Sequence, residues 1–224
     1  MKYKHIIWDW NGTLIDDRVF CIEIMNEVLK KRNMKLMTED WFLDNFCFPV
    51  KEYYLKLGFD FNKESFDISG TEFIDKYMKR CHELQLHQGA IEILQYVKSL
   101  GIAQSLLSAS SQVMLNEILS NHDINDYFKE ILGTDNHYAY GKEALTKKWI
   151  EGLNYDAKEV LFIGDSITDC GRRQDEEKLG HGYVRKITEL LTAKYPSHHI
   201  DYVNRGIGGD IVEGLENRWS EDVI

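Results

Sequence analysis

The amino-acid sequence predicts an α/β protein: a doubly wound parallel sheet interrupted by one inserted helical cap. Three observations predict it. Short apolar runs, Ile6 to Trp8, Ile102 to Leu107 and Val160 to Ile163, alternate with segments of helical periodicity. Polar residues able to do chemistry stand directly after those runs. A long helical stretch follows Leu14, where simple alternation requires a second strand.

Each element follows from local pattern. The stretch Ile6-Ile7-Trp8-Asp9-Trp10-Asn11-Gly12-Thr13-Leu14 is an apolar strand that enters a carboxylate and breaks at a glycine, which lets the backbone turn sharply. Ligands of open parallel sheets bind beyond the carboxyl ends of the strands, so Asp9 is placed for chemistry. Asp16 and Asp17 stand where they can cap a helix whose apolar positions are Phe20, Ile24 and Val28, with Met25 and Leu29 on the adjoining row. Trp41 to Phe48, a break at Pro49, the aromatic segment Tyr53-Tyr54-Leu55, the turn Gly58-Phe59-Asp60 and a helix through Phe73, Ile74, Tyr77 and Met78 come next. This predicts a helical cap over residues 16–86, set into a core made of 1–15 and 87–224.

Alternation resumes at Gly89 with a helix to Leu100 that Gly101 stops, a strand over Ile102 to Leu107 and a helix from Gln112. A short strand near Ile131, a helix from Lys142 and a strand over Val160 to Ile163 follow. Further on, Tyr183, Val184, Ile187, Leu190 and Leu191 recur at helical spacing, Pro196 ends that helix, and Ile200 to Val203 reads as a strand. This last strand-helix-strand unit can complete the sheet by a right-handed crossover.

Composition narrows the class. The 224 residues are 43% hydrophobic, enough for one sizeable core. Lysine and arginine total 27 against 37 acids, a net charge of -10, which argues against a broad nucleic-acid or anionic-membrane surface. Cys21, Cys47, Cys81 and Cys170 lie far apart with no CxxC pair, so reduced thiols are expected rather than a disulfide frame or zinc site. The sequence reading expects no signal peptide, no membrane span and a cytoplasmic location.

The polar residues at strand ends form a series. Ser108 follows Ser105-Leu106-Leu107, Lys142 opens a helix after Tyr138-Ala139-Tyr140-Gly141, and Gly164-Asp165-Ser166-Ile167-Thr168-Asp169 follows Val160 to Ile163. Taken singly, Asp9 and Ser108 are ordinary turn or cap residues and Lys142 a solvated lysine. In this order, at one edge of a parallel sheet, they point to a shared site. The series resembles the haloacid dehalogenase superfamily, and in particular its phosphoglycolate-phosphatase-like members, over about residues 3–169.

That resemblance implies a Rossmann-like core and a hydrolase of small phosphate monoesters. Asp9 matches the family's nucleophile, Ser108 its second motif, Lys142 its third, and Asp165 with Asp169 its acidic fourth. A carboxylate that attacks phosphorus forms an aspartyl-phosphate and splits one hard hydrolysis into two easier displacements. The resemblance also implies Mg²⁺, a hard cation that takes oxygen ligands, held by Asp9, the backbone carbonyl of Asn11 and Asp165, with Asp169 as a further ligand or orienting a water. Lys142 and the Ser108 hydroxyl then hold the phosphoryl group, with backbone amides around Trp10 to Thr13 as added donors.

Two departures stand out. The family's second aspartate, two residues beyond the nucleophile, protonates the leaving group; here that position is Asn11, and an amide cannot transfer that proton. General acid-base help is worth roughly a hundred- to ten-thousand-fold, so weak or specialised turnover is expected unless Asp16 or Asp17 substitutes or the leaving group needs no proton. The second departure is the C-terminal quarter. Leu179-Gly180-His181-Gly182-Tyr183-Val184-Arg185 and Asn204-Arg205-Gly206-Ile207-Gly208-Gly209-Asp210 resemble the N-terminal portion of a GDSL-type (SGNH) esterase, over about residues 162–224. On that resemblance Ser166 is a nucleophile and Gly209 supplies an oxyanion-hole amide. The Gly-x-Asn-Asp block and late Asp-x-x-His of such esterases are absent, and His181, His198 and His199 do not match the base.

Three readings therefore stand: a phosphatase, an incomplete serine esterase, and a phosphate-binding protein that does not turn over. The aromatic cluster Trp41, Phe42, Phe46, Phe48, Tyr53 and Tyr54 is expected to be cap core rather than a substrate platform. His82, His87 and His137 lack ligand spacing.

Overall fold

The computed structural model describes residues 3–47, 49–134, 160–164, 174–180, 183–194, 204 and 206. Its centre is a parallel four-stranded sheet in the order β5-β4-β1-β6, formed by β1 (His5–Trp8), β4 (Ala103–Ser111), β5 (Glu130–Thr134) and β6 (Val160–Ile163). Strand β1 is central, pairing Trp8 with Leu106 on one side and Ile163 on the other. It is buried along its whole length, as expected for a strand covered on both faces. The expected α/β class is what the structure shows.

Buried polar bonds hold the β1/β4 register. Trp8 Nε1 donates to Gln104 Oε1 at 2.9 Å, Gln104 Nε2 donates to the Leu94 carbonyl at 3.0 Å, and His5 Nε2 lies 2.9 Å from Ser105 Oγ. A slipped register would leave these groups buried without partners. Asn204 forms a parallel bridge to Phe162, so the chain beyond α7 (Tyr183–Lys194) returns beside β6. Residues 200–203 and the expected helix from Lys142 lie outside the described residues.

A two-stranded antiparallel ribbon, β2 (Ile15–Asp16) with β3 (Gln85–Leu86), brackets the helical insert. Between them run α1 (Arg18–Lys31), α2 (Glu39–Asn45), α3 (Val50–Leu57) and α4 (Phe66–Arg80). Helix α1 buries Phe20, Ile24, Met25, Val28 and Leu29, the stripe the periodicity predicts. Helix α3 ends at Gly58, whose φ of 99° is the left-handed cap that favours glycine. Met25, Val28, Leu29, Tyr53, Tyr54 and Phe59 form a separate buried cluster, against which Trp41, Phe42 and Phe46 pack. These aromatics are core, as expected; Phe48 lies outside the described residues. Ion pairs from Lys31 and Arg32 to Glu72, and from Lys76 to Glu27, stitch α1 to α4.

Helices α5 (Ala90–Ser99) and α6 (Gln112–Leu119) flank β4 in sequence. The sequence reading stops the strand at Leu107, but β4 runs on to Ser111, with a register irregularity before Ser111 pairs with Thr134. Polar residues masked this extension. Ser108-Ala109-Ser110-Ser111 scores as a turn, yet Ser108 and Ser111 are buried with their hydroxyls bonded.

Candidate active site

The site lies at the carboxyl edge of the sheet, where β1 and β4 deliver Asp9 and Ser108 together. Beyond Trp8 the chain makes a tight turn around one carbonyl: Trp10 O accepts from Thr13 N at 3.2 Å, Leu14 N at 3.0 Å and Ile15 N at 3.1 Å. Gly12 sits in this turn at φ 70°, a left-handed conformation. Asp9 is 2% exposed; its Oδ1 accepts from Trp10 N at 2.7 Å, and its own N–H donates to the Ile163 carbonyl at 2.8 Å. The chain leaving β6 through Gly164 therefore starts beside Asp9, and Asp165 is the next residue in sequence.

Asn11 is the hub of the polar network. Its Nδ2 donates to Asp17 Oδ2 at 2.6 Å, while its Oδ1 accepts from Ser108 Oγ at 3.1 Å and Ser110 Oγ at 3.0 Å. Ser108 Oγ in turn accepts from Ser110 N at 3.0 Å. The structure thus joins Ser108 to Asn11, two residues beyond Asp9 on the same loop. Ser110 joins them unforeseen, because its position beyond the expected strand end gave it no role.

Asp17 is the larger surprise. It occupies the N-cap of α1, as expected, but its side chain does not cap that helix. It turns back to the loop, accepting from Gly12 N at 3.0 Å, Tyr77 Oη at 3.3 Å and, at 3.8 Å, the Cys21 thiol. Burial raises its pKa against these four hydrogen bonds, which favour the charged form. Burial and the adjacent Asp17 charge together push the Cys21 thiol and the Tyr77 phenol well up.

His87, which lacks ligand spacing in the sequence, closes the same turn: its N–H donates to the Leu14 carbonyl at 2.9 Å and its Nδ1 lies 3.9 Å from Asp16 Oδ2. Burial lowers its pKa, against the pull of Asp16 and Asp17. Thr13 Oγ1 is buried with no hydrogen-bond partner among the described residues. Lys142, Asp165, Ser166, Asp169, His137 and Gly209 lie outside the described residues. Among the described residues no group of three or more His, Cys, Asp or Glu side chains is placed to hold a metal.

A parallel sheet with a buried aspartate just after its central strand, a serine hydroxyl bonded into the same loop and a helical insert just after the first turn defines a class of α/β cores. The comparison with family models makes the class specific: residues 6–173 match the model described as haloacid dehalogenase-like hydrolase, and the chain belongs to that family. A phosphoglycolate phosphatase of Vibrio parahaemolyticus is 29% identical over 99 residues, covering 43% of each chain. An acetylxylan esterase of Geobacillus stearothermophilus is 51% identical over 72 residues, covering 30% of this chain and 33% of the esterase. The chain thus spans well under half the length of both curated relatives. A haloacid dehalogenase-like hydrolase from Streptococcus pneumoniae shares the fold, with a TM-score of 0.66, 16% identity and coverage of 96% of this chain and 98% of that one.

Proposed function

We propose that this chain hydrolyses small phosphate monoesters, with Asp9 as the attacking nucleophile and an aspartyl-phosphate as intermediate. One observation carries the reading: the buried Asp9 carboxylate at the end of β1, with the Ser108 hydroxyl drawn to the same loop through Asn11. A carboxylate so placed needs only a positioned phosphorus opposite it. The match to phosphoglycolate phosphatase supports a small, anionic ester as the substrate class.

Within this reading Ser108 binds the phosphoryl group, and Lys142 supplies the cationic contact that balances its charge. The oxygen-only donor set of Asp9, the Asn11 carbonyl, Asp165 and Asp169 fits Mg²⁺, and β6 leads the chain toward Asp165 from a point hydrogen-bonded to Asp9. Mg²⁺ bound there would neutralise phosphate charge. Residues 16–86 would act as the cap over this site, hinged at the β2/β3 ribbon, and would select the leaving group. Asn11 donates to Asp17 and offers no acid, so esters with good leaving groups should turn over best.

The esterase match favours a second reading, in which Ser166 attacks an ester carbonyl. The two separate in one experiment. The purified chain is assayed on para-nitrophenyl phosphate and para-nitrophenyl acetate, with and without Mg²⁺, beside Asp9→Asn and Ser166→Ala. Phosphate release that requires both Mg²⁺ and Asp9 upholds the phosphatase. Acetate release that requires Ser166, with no phosphate release, replaces it with the esterase. Inactivity on both substrates leaves a binding protein.

A further inference from the structure

Asp17 is buried and charged in type, and among the described residues no Lys or Arg side chain meets it. Among the described residues it accepts four hydrogen bonds, and the donors come from two sources. Asn11 and Gly12 belong to the loop that carries Asp9. Cys21 and Tyr77 belong to α1 and α4 of the helical insert. A buried carboxylate that receives its donors from both sides holds both in register, since moving either side strips it of bonds it cannot replace with water.

The effect on Asn11 is specific. An amide side chain has two ends, a donor and an acceptor, and rotation by half a turn exchanges them. The carboxylate accepts only, so it takes the Nδ2 end at 2.6 Å; Oδ1 is then turned toward the Ser108 and Ser110 hydroxyls, which donate to it. We infer that Asp17 is a positioning residue, which fixes the Asn11 amide with its oxygen toward Ser108 and Ser110 and thereby holds those two hydroxyls against the loop that carries Asp9. Asn11 and Asp17 then work as a matched pair.

This inference rests on the proposed phosphatase reading for its catalytic consequence, but its structural half is testable without turnover. The amide pair of Asn11 is assigned by nitrogen-15 NMR through the loss of its signals in Asn11→Ser. In the wild-type chain a bond to a buried carboxylate should hold these signals shifted and protected from solvent exchange. Asp17→Ser, too short to reach the Asn11 amide, should return them toward the position of an exposed amide, and Asp17→Asn, which keeps one acceptor oxygen but loses the charge, should move them part of the way. If the Asn11 signals stay in place in both variants, the inference is overturned, whatever the activity.

Kinetics test the second half. Asn11→Asp alone sets two carboxylates against each other and should not improve turnover of an alkyl phosphate. Asn11→Asp with Asp17→Ser restores an acid beside the nucleophile and frees it from that repulsion. The double variant should exceed Asn11→Asp by about tenfold or more in kcat on alkyl phosphates, with KM little changed, because general acid help raises the chemical step. A double variant whose kcat is the simple product of the two single effects contradicts the pairing. If the wild-type chain and every variant lack Mg²⁺-dependent phosphatase activity, the functional reading fails while the NMR result still decides the role of Asp17.

Discussion

Acid should weaken this fold through His5, at the start of the strand that carries Asp9. Its imidazole is 1% exposed, and burial, together with the charge of Lys129, lowers its pKa from 6.5 to about 4. In the unfolded chain His5 takes up a proton near pH 6.5; in the folded chain it resists protonation until about pH 4. Between those values the unfolded state binds more protons, so stability is fully present above pH 6.5 and is lost as pH falls toward 4. The interval between the two pKa values corresponds to about 3 kcal/mol, a large share of the roughly 5–15 kcal/mol that holds a domain together. Carboxylates and other histidines titrate over the same range, so the comparison is with His5→Gln, which can still reach Ser105. Urea unfolding of both proteins from pH 8 to pH 4 gives the difference in stability at each pH. The wild-type advantage should shrink by about 3 kcal/mol across that range. Parallel curves would show that His5 titrates normally, and that its burial against Ser105 carries no such cost.

Two substitutions test the packing around the site. At Gly133 a Cβ would come within 2.8 Å of Gln112 N and Cα and 2.9 Å of the Ser110 carbonyl, all backbone, so Gly133→Ala should destabilise by about 1–3 kcal/mol and displace Ser110. A urea midpoint equal to wild type would refute that packing. Tyr77→Phe removes a buried hydroxyl that donates to Asp17 and should cost about 2 kcal/mol, the range of a bond to a charged group. A variant as stable as wild type would mean that this bond does not tie α4 to Asp17 and the loop beyond β1.

Much of this architecture was legible in the sequence. Apolar runs marked β1 and β6, and the helical stripe of α1 marked the insert, because both are set by local periodicity. Strand β4 was cut short because serine reads as turn, and only tertiary burial shows that Ser108 to Ser111 stay in the sheet. Asp9, Asn11 and Ser108 were placed by their positions after strands. The partnership of Asn11 with Asp17 was not legible: Asp17 looks like a helix cap, and its turn back to the loop depends on donors from Tyr77, distant in sequence. Ser110 and His87 were missed for the same reason, since each gains its role through contacts with the turn at Gly12 and Leu14 or with Asn11.

Whether Asp9 carries the phosphoryl group is decided by trapping it there. The chain is mixed with para-nitrophenyl phosphate and Mg²⁺, quenched in acid during turnover and reduced with borohydride, which converts an aspartyl-phosphate to homoserine. Peptide mass spectrometry then locates the change. Homoserine is expected at position 9, absent without Mg²⁺ and absent in Asp9→Asn. Continued phosphate release with an unmodified Asp9 in every quenched sample would contradict it.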